Sequence, residues 1–377
     1  MDFQKLKELM DSFTRWRIPG CAATVYKDGE CVFEYASGYA DCENGIKMTP
    51  DSLMYMYSAS KPVTCTAALT LWEKGKFHLN EPVCTYLPSW QNMTKEVSLP
   101  DGTKKTVPLS SPVTVGDLFS MTSGLDYCLS RPSLAEAIKR TAPICDTLEL
   151  MDAVGGDPLL FEPGEKWCYG ISHDVIGAII QKISGDDLRT YTEKNIFAPL
   201  SMNSSYYGNG DIPEGLATQY SFNDEKQCFE KTDNKNTFIL GKKYYSGGAG
   251  IVSTVRDMGK FACCLSMGGS TPKGERILAP TTVELMKTNR LSPAQLESFN
   301  WEPLRGYGYG LGVRTLIDPA AAGSPSPVGE FGWTGAAGAY MLVDTKNRLA
   351  LFYAHHMLNN QEHITSPRLR NTLYSCL

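Results

Sequence analysis

Strand-like apolar runs stand at both ends of this chain and bracket a middle in which the apolar spacing is mainly helical. Residues 22–26 and 31–38 near the start, and 310–316, 339–344 and 349–355 near the end, are rich in β-branched, aromatic and small apolar residues. The last two runs are joined by the turn Thr345-Lys346-Asn347-Arg348. This arrangement predicts one sheet built from both chain ends. In the middle, residues 63–72 carry the helix formers Ala67, Ala68, Leu69 and Leu71, and Gly75 is placed to end the helix. Residues 171–183 repeat apolar positions at helical period and are closed by Gly185, and residues 255–267 form a third helical run. Three stretches, 91–111 with Asp101-Gly102 as a hairpin turn, 206–245 and 292–305, have loop character. The second carries Tyr220, Phe222, Phe229, Phe238, Tyr244 and Tyr245, which fit either the lining of an acyl pocket or ordinary loop packing.

The chemistry begins at Tyr57-Ser58-Ala59-Ser60-Lys61-Pro62. Pro62 is tolerated only in a first turn, so a helix is expected to start near Ser58, with Ser58 and Lys61 on one face. A serine hydroxyl is a weak nucleophile until a neighbour takes its proton, and a lysine whose pKa is lowered can do so. The same spacing recurs at Ser270 and Lys273, but within Gly268-Gly269-Ser270-Thr271-Pro272-Lys273-Gly274, which is turn chemistry and predicts a surface loop. Taken alone, Ser58 fits a helix cap as well as a nucleophile.

Two further segments bear on that choice. Tyr169 stands at a loop-to-helix junction just before the 171–183 helix, and Gly332-Trp333-Thr334-Gly335-Ala336-Ala337-Gly338 leads into the strand at 339 with side chains small enough for close backbone approach. In this order and at these distances, the three segments resemble the Ser-x-x-Lys, Tyr-x-Asn and Lys-Thr-Gly elements of the serine β-lactamase and penicillin-binding protein superfamily. Residues 18–23, 113–125 and 246–254 are similar to segments of its class C branch and esterase relatives, so the likeness runs from about residue 10 to about 355. Two positions depart from the β-lactamase pattern: Ile171 stands in place of the asparagine, and Trp333 in place of the lysine. An indole offers no charge to a substrate carboxylate. The tryptophan instead resembles the family VIII carboxylesterases.

The resemblance implies an α/β (α+β) fold of the β-lactamase/transpeptidase type, an antiparallel sheet flanked by helices. Residues 1–61 and 246–377 would form the α/β lobe and 62–245 a mainly helical lobe, with the active site between them. It also implies that Ser58 is the nucleophile, that Lys61 and Tyr169 share proton transfer, and that the N–H groups of Ser58 and Ala336 form the oxyanion hole. Trp333, Gly335 and Ile171 would contact substrate. A small ester, lactone or amide is the expected substrate. A β-lactamase or D-amino-acid peptidase is the alternative, and a non-catalytic binding relative the remaining one.

Other machinery finds little support. No Gly-x-Ser-x-Gly elbow occurs, and five histidines give a poor basis for a Ser-His-Asp triad. His355-His356 would point to opposite faces of a strand and cannot readily chelate one metal, so packing or surface roles are expected. Cys263-Cys264 belongs to an apolar helical stretch, and Gly247-Gly248-Ala249-Gly250 lacks the lysine of a phosphate loop. No metal or organic cofactor is called for. Net charge is −5, from 36 basic and 41 acidic residues without basic runs, which gives no reason to expect nucleic acid or membrane as a partner. The charged, amphipathic N-terminus and the twelve scattered cysteines predict a cytoplasmic protein with reduced thiols.

Overall fold

Strands buried at nearly every position along the chain ends build the centre of the molecule, a computed structural model describing residues 1–377. Nine strands form one antiparallel sheet: β1 (Gly20–Lys27), β2 (Glu30–Asp41), β3 (Ile46–Lys47), β4 (Tyr307–Tyr309), β5 (Arg314–Leu316), β6 (Phe331–Gly332), β7 (Thr334–Gly335), β8 (Ala339–Asp344) and β9 (Leu349–Ala354). Their spatial order is β4-β5-β6-β8-β9-β1-β2-β3, with β7 also paired to β8. The N-terminal strands thus join the C-terminal ones through β1 and β9, where Ala22 faces Ala354 and Thr24 faces Phe352.

Both faces of the central strands are covered, and the two-residue period sorts their side chains between separate cores. Ala22, Met341, Val343, Ala350 and Phe352 belong to the larger core. There they meet Met258, Phe261, Ala262 and Leu265 of a helix, Val255–Ser266. Cys21, Ala23, Val25, Leu342, Leu349 and Leu351 point the other way, toward α1 (Gln4–Trp16), which presents Leu6, Met10 and Phe13 at helical spacing. The C-terminal helix, Glu362–Ser375, adds Leu369 and Leu373 to that second core. Each such side chain, fully buried, contributes roughly 1.5–3 kcal/mol relative to exposure.

Three expectations change in the structure. Of the run 310–316 only Arg314–Leu316 is strand, because the chain turns back before it to pair with Tyr307–Tyr309: the Gly310 N–H donates to Val313 O at 2.8 Å, and Gly312 has φ +82°. The helix after Ser58 starts at Ser60, and Ser58 sits in a preceding 3₁₀ turn, Tyr57–Ala59. The three loop regions carry structure of their own. In 91–111 the expected Asp101-Gly102 hairpin turn is present, joining Thr94–Ser98 to Lys104–Pro108 with Gly102 at φ +81°. Residues 206–245 contribute the strand pair Tyr220–Asn223 and Cys228–Lys231, and 292–305 contain the short helix Pro293–Leu296 and a 3₁₀ turn. All twelve cysteine thiols are free. No helix is long and apolar enough to cross a membrane.

The Val255–Ser266 helix lies so close to β1 that a Cβ at Gly259 would collide with Thr24 Oγ1, which donates to Val255 O at 3.1 Å. By propensity alone Gly259→Ala would stabilise the helix by about 1 kcal/mol. Overpacking costs about 1–3 kcal/mol and should win. Gly259→Ala is therefore expected to lower the melting temperature, and Thr24→Ala in the same chain to recover part of the loss. Chemical denaturation of the two single variants and the double variant measures the coupling, and strictly additive effects would refute this contact as the cause.

Candidate active site

Ser58 stands on a strained turn. Tyr57 before it has φ +45°, a conformation uncommon for a bulky residue, and it is held by packing and by Gln219 Nε2, which donates to the Tyr57 hydroxyl at 2.7 Å. The turn leaves Ser58 only half-buried, at the head of α2 (Ser60–Glu73). One turn on, Lys61 is fully buried, and its Nζ donates to Ser58 Oγ at 3.0 Å, Tyr127 Oη at 2.6 Å and Gly248 O at 2.8 Å. Burial lowers the amine's pKa from 10.5 to about 7, against the opposing pull of Asp174 and Cys65.

Tyr169 lies over the same amine, with Lys61 Nζ 4.5 Å from its ring centroid. Its hydroxyl accepts from Trp333 Nε1 at 3.1 Å. Burial raises its pKa above that of a free phenol, outweighing hydrogen bonds with Ser58, Trp333 and Tyr127, so the group is a neutral phenol at pH 7. Tyr127 is shifted upward too, by burial first and then by Tyr169 and Asp174. Phe238 packs edge-on against both Tyr127 and Tyr57, at 5.4 and 6.1 Å between centroids.

The small residues of the 332–338 segment allow close approach. A Cβ on Gly335 would strike Met56 O, so β7 runs directly beside the turn that carries Ser58. The N–H groups of Ser58 and Ala336 have no acceptor within the protein. Behind Lys61, the buried Asp174 accepts from the Tyr244 hydroxyl at 3.0 Å, and burial raises its pKa. A Cβ on Gly248 would lie 2.7 Å from Asp174 Oδ2 and 2.9 Å from the Tyr127 hydroxyl, so only glycine fits between them.

The structure thus brings Ser58, Lys61, Tyr169, Trp333, Gly335 and Ala336 together, but not Ile171. Its side chain is 1% exposed in the main core, because the chain after Tyr169 turns inward to start the Ser172–Ser184 helix. Trp333 is also nearly closed off, at 2% exposure among Trp167, Tyr309 and Phe299, so its main polar act is the bond to Tyr169. His355 and His356 are both buried, not on the surface, and burial lowers their pKa values to about 3 and about 4. His356 Nε2 accepts the Tyr55 N–H at 3.2 Å, and its Nδ1 lies 3.0 Å from Ala217 O. His173 is likewise buried and neutral, against Phe119 O. No histidine touches Ser58 Oγ. Ser270 and Lys273 lie in a turn, Lys273 lining a separate cavity of about 490 Å³ that contains none of these residues.

Sequence reasoning missed Tyr127, Asp174 and Gly248; Phe238 was among the aromatics that the sequence offered for the pocket, and it does pack at the site. Tyr127 stands two residues beyond the 113–125 segment, in a loop without periodicity. The only available signal was its place just after Gly124, which has φ +88°.

A depressed lysine pKa carries a stability consequence with a definite sign. Between about 7 and 10.5 the unfolded chain binds a proton at Lys61 that the native protein does not, so stability contributed at this site rises with pH across that window and is lowest below it. Replacing Lys61 by Met, which fills similar space without charge, is expected to raise the melting temperature more at pH 6 than at pH 9. A difference independent of pH in thermal unfolding would refute it.

A family model described as Beta-lactamase matches residues 4–373. The chain is 29% identical over 353 residues to esterase EstB of Burkholderia gladioli, covering 87% of this chain and 83% of the relative. Among solved structures it is similar to EstCE1, "a hydrolase with promiscuous acyltransferase activity", at TM-score 0.80, 23% identity and 98% coverage of both chains. It also resembles unliganded, selenomethionyl simvastatin synthase (LovD) from Aspergillus terreus at TM-score 0.81, 21% identity, and coverage of 100% and 98%. The chain belongs to the beta-lactamase family and is a serine hydrolase of that fold.

Proposed function

We propose that the protein hydrolyses small carboxylic esters through an acyl-enzyme on Ser58. The observation that carries this reading is the 3.0 Å contact between Ser58 Oγ and a lysine amine whose pKa lies near neutrality. Above that pH the neutral amine has a lone pair to accept the serine proton as Oγ attacks the carbonyl carbon. The Ser58 and Ala336 N–H groups then face the carbonyl oxygen as it becomes an oxyanion. Tyr169, whose oxygen already accepts from Trp333, has its O–H free to protonate the departing alkoxide. Water attacks the acyl-enzyme in the second step, with the same groups acting in reverse.

Ester rather than β-lactam or D-alanyl peptide follows from what surrounds Trp333 and Thr334. Those substrates carry a carboxylate, and the cavity beside these two residues is lined by no lysine or arginine. A carboxylate there would be desolvated without a partner, at about 1–3 kcal/mol or more. The family relationship to esterase EstB supports the same reading.

Labelling with a fluorophosphonate followed by peptide mass mapping is expected to place one adduct on Ser58. Ser58→Ala, Lys61→Ala and Tyr169→Phe should each lower kcat/KM by about 10²–10⁴ without additive loss. An adduct on Ser270, or full activity in Ser58→Ala, would overturn the assignment. For p-nitrophenyl butyrate, kcat/KM should climb through pH 7 as Lys61 loses its proton, and exceed that for a chromogenic cephalosporin. A flat profile from pH 5 to 9 would remove Lys61 as the base, and equal or better turnover of the cephalosporin would refute the ester preference.

A further inference from the structure

We infer that the cavity beside Trp333 is a subsite for an ammonium group on the alcohol portion of the substrate. This rests on the ester-hydrolase reading and names the substrate class for that site. The cavity, about 280 Å³, lies between Trp301, Trp333 and Thr334 on one side and the start of the C-terminal helix, with Glu362, on the other.

Its position assigns the side of the scissile bond. Trp333 donates to the Tyr169 hydroxyl at 3.1 Å, and Trp301 packs edge-on against the Tyr169 ring at 5.0 Å. A group seated against these two indoles is therefore reached past Tyr169, the residue placed to protonate the leaving alcohol.

Its chemistry assigns the charge. The lining contains one carboxylate, Glu362, and no lysine or arginine. The amides around it are engaged elsewhere: Asn360 Nδ2 donates to Gly335 O at 3.1 Å, its Oδ1 accepts from the Glu362 N–H at 2.9 Å, and Asn359 Nδ2 donates to Phe222 O and to Asp224. No donor set remains for an anion. The nearest cation behind Glu362, Arg314, is committed to Glu330 at 3.0 Å and stacked between Tyr307 and Tyr340. Arg370 donates to the Tyr307 hydroxyl and to Ala322 O. His363 is exposed at the outer edge of the cavity. Glu362 itself makes no ion pair. Burial raises the Glu362 pKa against the pull of Arg314, the Thr334 and Asn360 side chains and His363, and neither cation pairs with it directly; with the Trp301 ring 43% exposed beside it, the cavity offers what an alkylammonium group requires, a counter-charge and a π face in place of water.

The deciding experiment compares S-butyrylthiocholine with its neutral isostere, S-(3,3-dimethylbutyl) thiobutyrate, at pH 8, in the natural chain and in Glu362→Gln. The cationic ester should be favoured in kcat/KM by about tenfold, and that ratio should fall to near one in Glu362→Gln. A ratio at or below one in the natural chain, or one unmoved by Glu362→Gln, overturns the subsite. Should neither thioester nor p-nitrophenyl butyrate be hydrolysed, the ester-hydrolase reading fails, and a second measurement still decides the subsite. Choline titrated into Ser58→Ala is expected to quench tryptophan fluorescence saturably, and 3,3-dimethylbutanol not to. Equal responses to the two, or a choline response retained when Glu362→Gln is added, would refute cation binding there.

Discussion

A primary amine shut away from water must find an oxygen for each of its protons, and that requirement organises the centre of this molecule. Lys61 meets it with three oxygens, one near and two distant in the chain: Ser58 three residues back, Tyr127 in a loop, and the Gly248 carbonyl before the Val255–Ser266 helix. An orphaned N–H at this depth would cost about 1–3 kcal/mol or more. The segment around Gly248 is accordingly tied along α2 at further points. Thr64 Oγ1 donates to Gly247 O at 2.6 Å, and the Ile251 N–H donates to Ser60 Oγ at 3.0 Å. The glycines of 247–250 fit that close approach: a Cβ at 247 would meet His173 O, and one at 248 the Asp174 carboxylate.

The second constraint is aromatic. Tyr169, Trp167, Trp333, Tyr309, Phe299 and Trp301 form a connected set of stacked, edge and tilted contacts with centroids 4.7–6.5 Å apart. Such pairs are worth roughly 0.5–1.5 kcal/mol each beyond the area they bury. Their combined effect is to hold Tyr169 by its ring on one side and by its oxygen on the other, through the Trp333 indole. A lysine at 333 would leave the indole's place among five rings unfilled, so the aromatic cluster and the tryptophan explain one another. Phe299 and Trp301 come from the 292–305 loop, so a segment with no regular pattern completes the wall of the site.

Where a local rule decides geometry, the sequence was sufficient. The three-residue spacing of Ser58 and Lys61 keeps both side chains on one face even though Ser58 sits in a 3₁₀ turn rather than in the helix that carries Lys61. The two-residue alternation in 339–344 and 349–354 separates the two cores without reference to tertiary contacts. Failures came where the outcome is decided by residues far apart in sequence. Ile171 lies two positions after Tyr169, yet it belongs to the core because the helix axis, not the cleft, sets its direction. Tyr127 is 66 residues from the amine it binds. Gly312 broke an expected strand because its positive φ, next to Cys65 and His173, permits a turn that a strand pattern of apolar residues does not announce.

The three partners of Lys61 are not equivalent, and in the proposed reaction their difference would orient the proton transfer. Gly248 O is a carbonyl and can only accept, so one amine hydrogen points to it in either protonation state. The other two partners are hydroxyls that can donate or accept. A neutral amine has one further hydrogen and one lone pair to divide between them. Tyr127, at 2.6 Å and held neutral by burial, can take that hydrogen on its oxygen while remaining a phenol. The lone pair is then directed at the Ser58 hydroxyl. Once the serine proton has moved, the amine is an ammonium with all three hydrogens engaged, and Asp174 stabilises its charge from behind without touching it. In the proposed reaction, a carbonyl, a phenol and a remote carboxylate together would make the lysine a base toward one oxygen only.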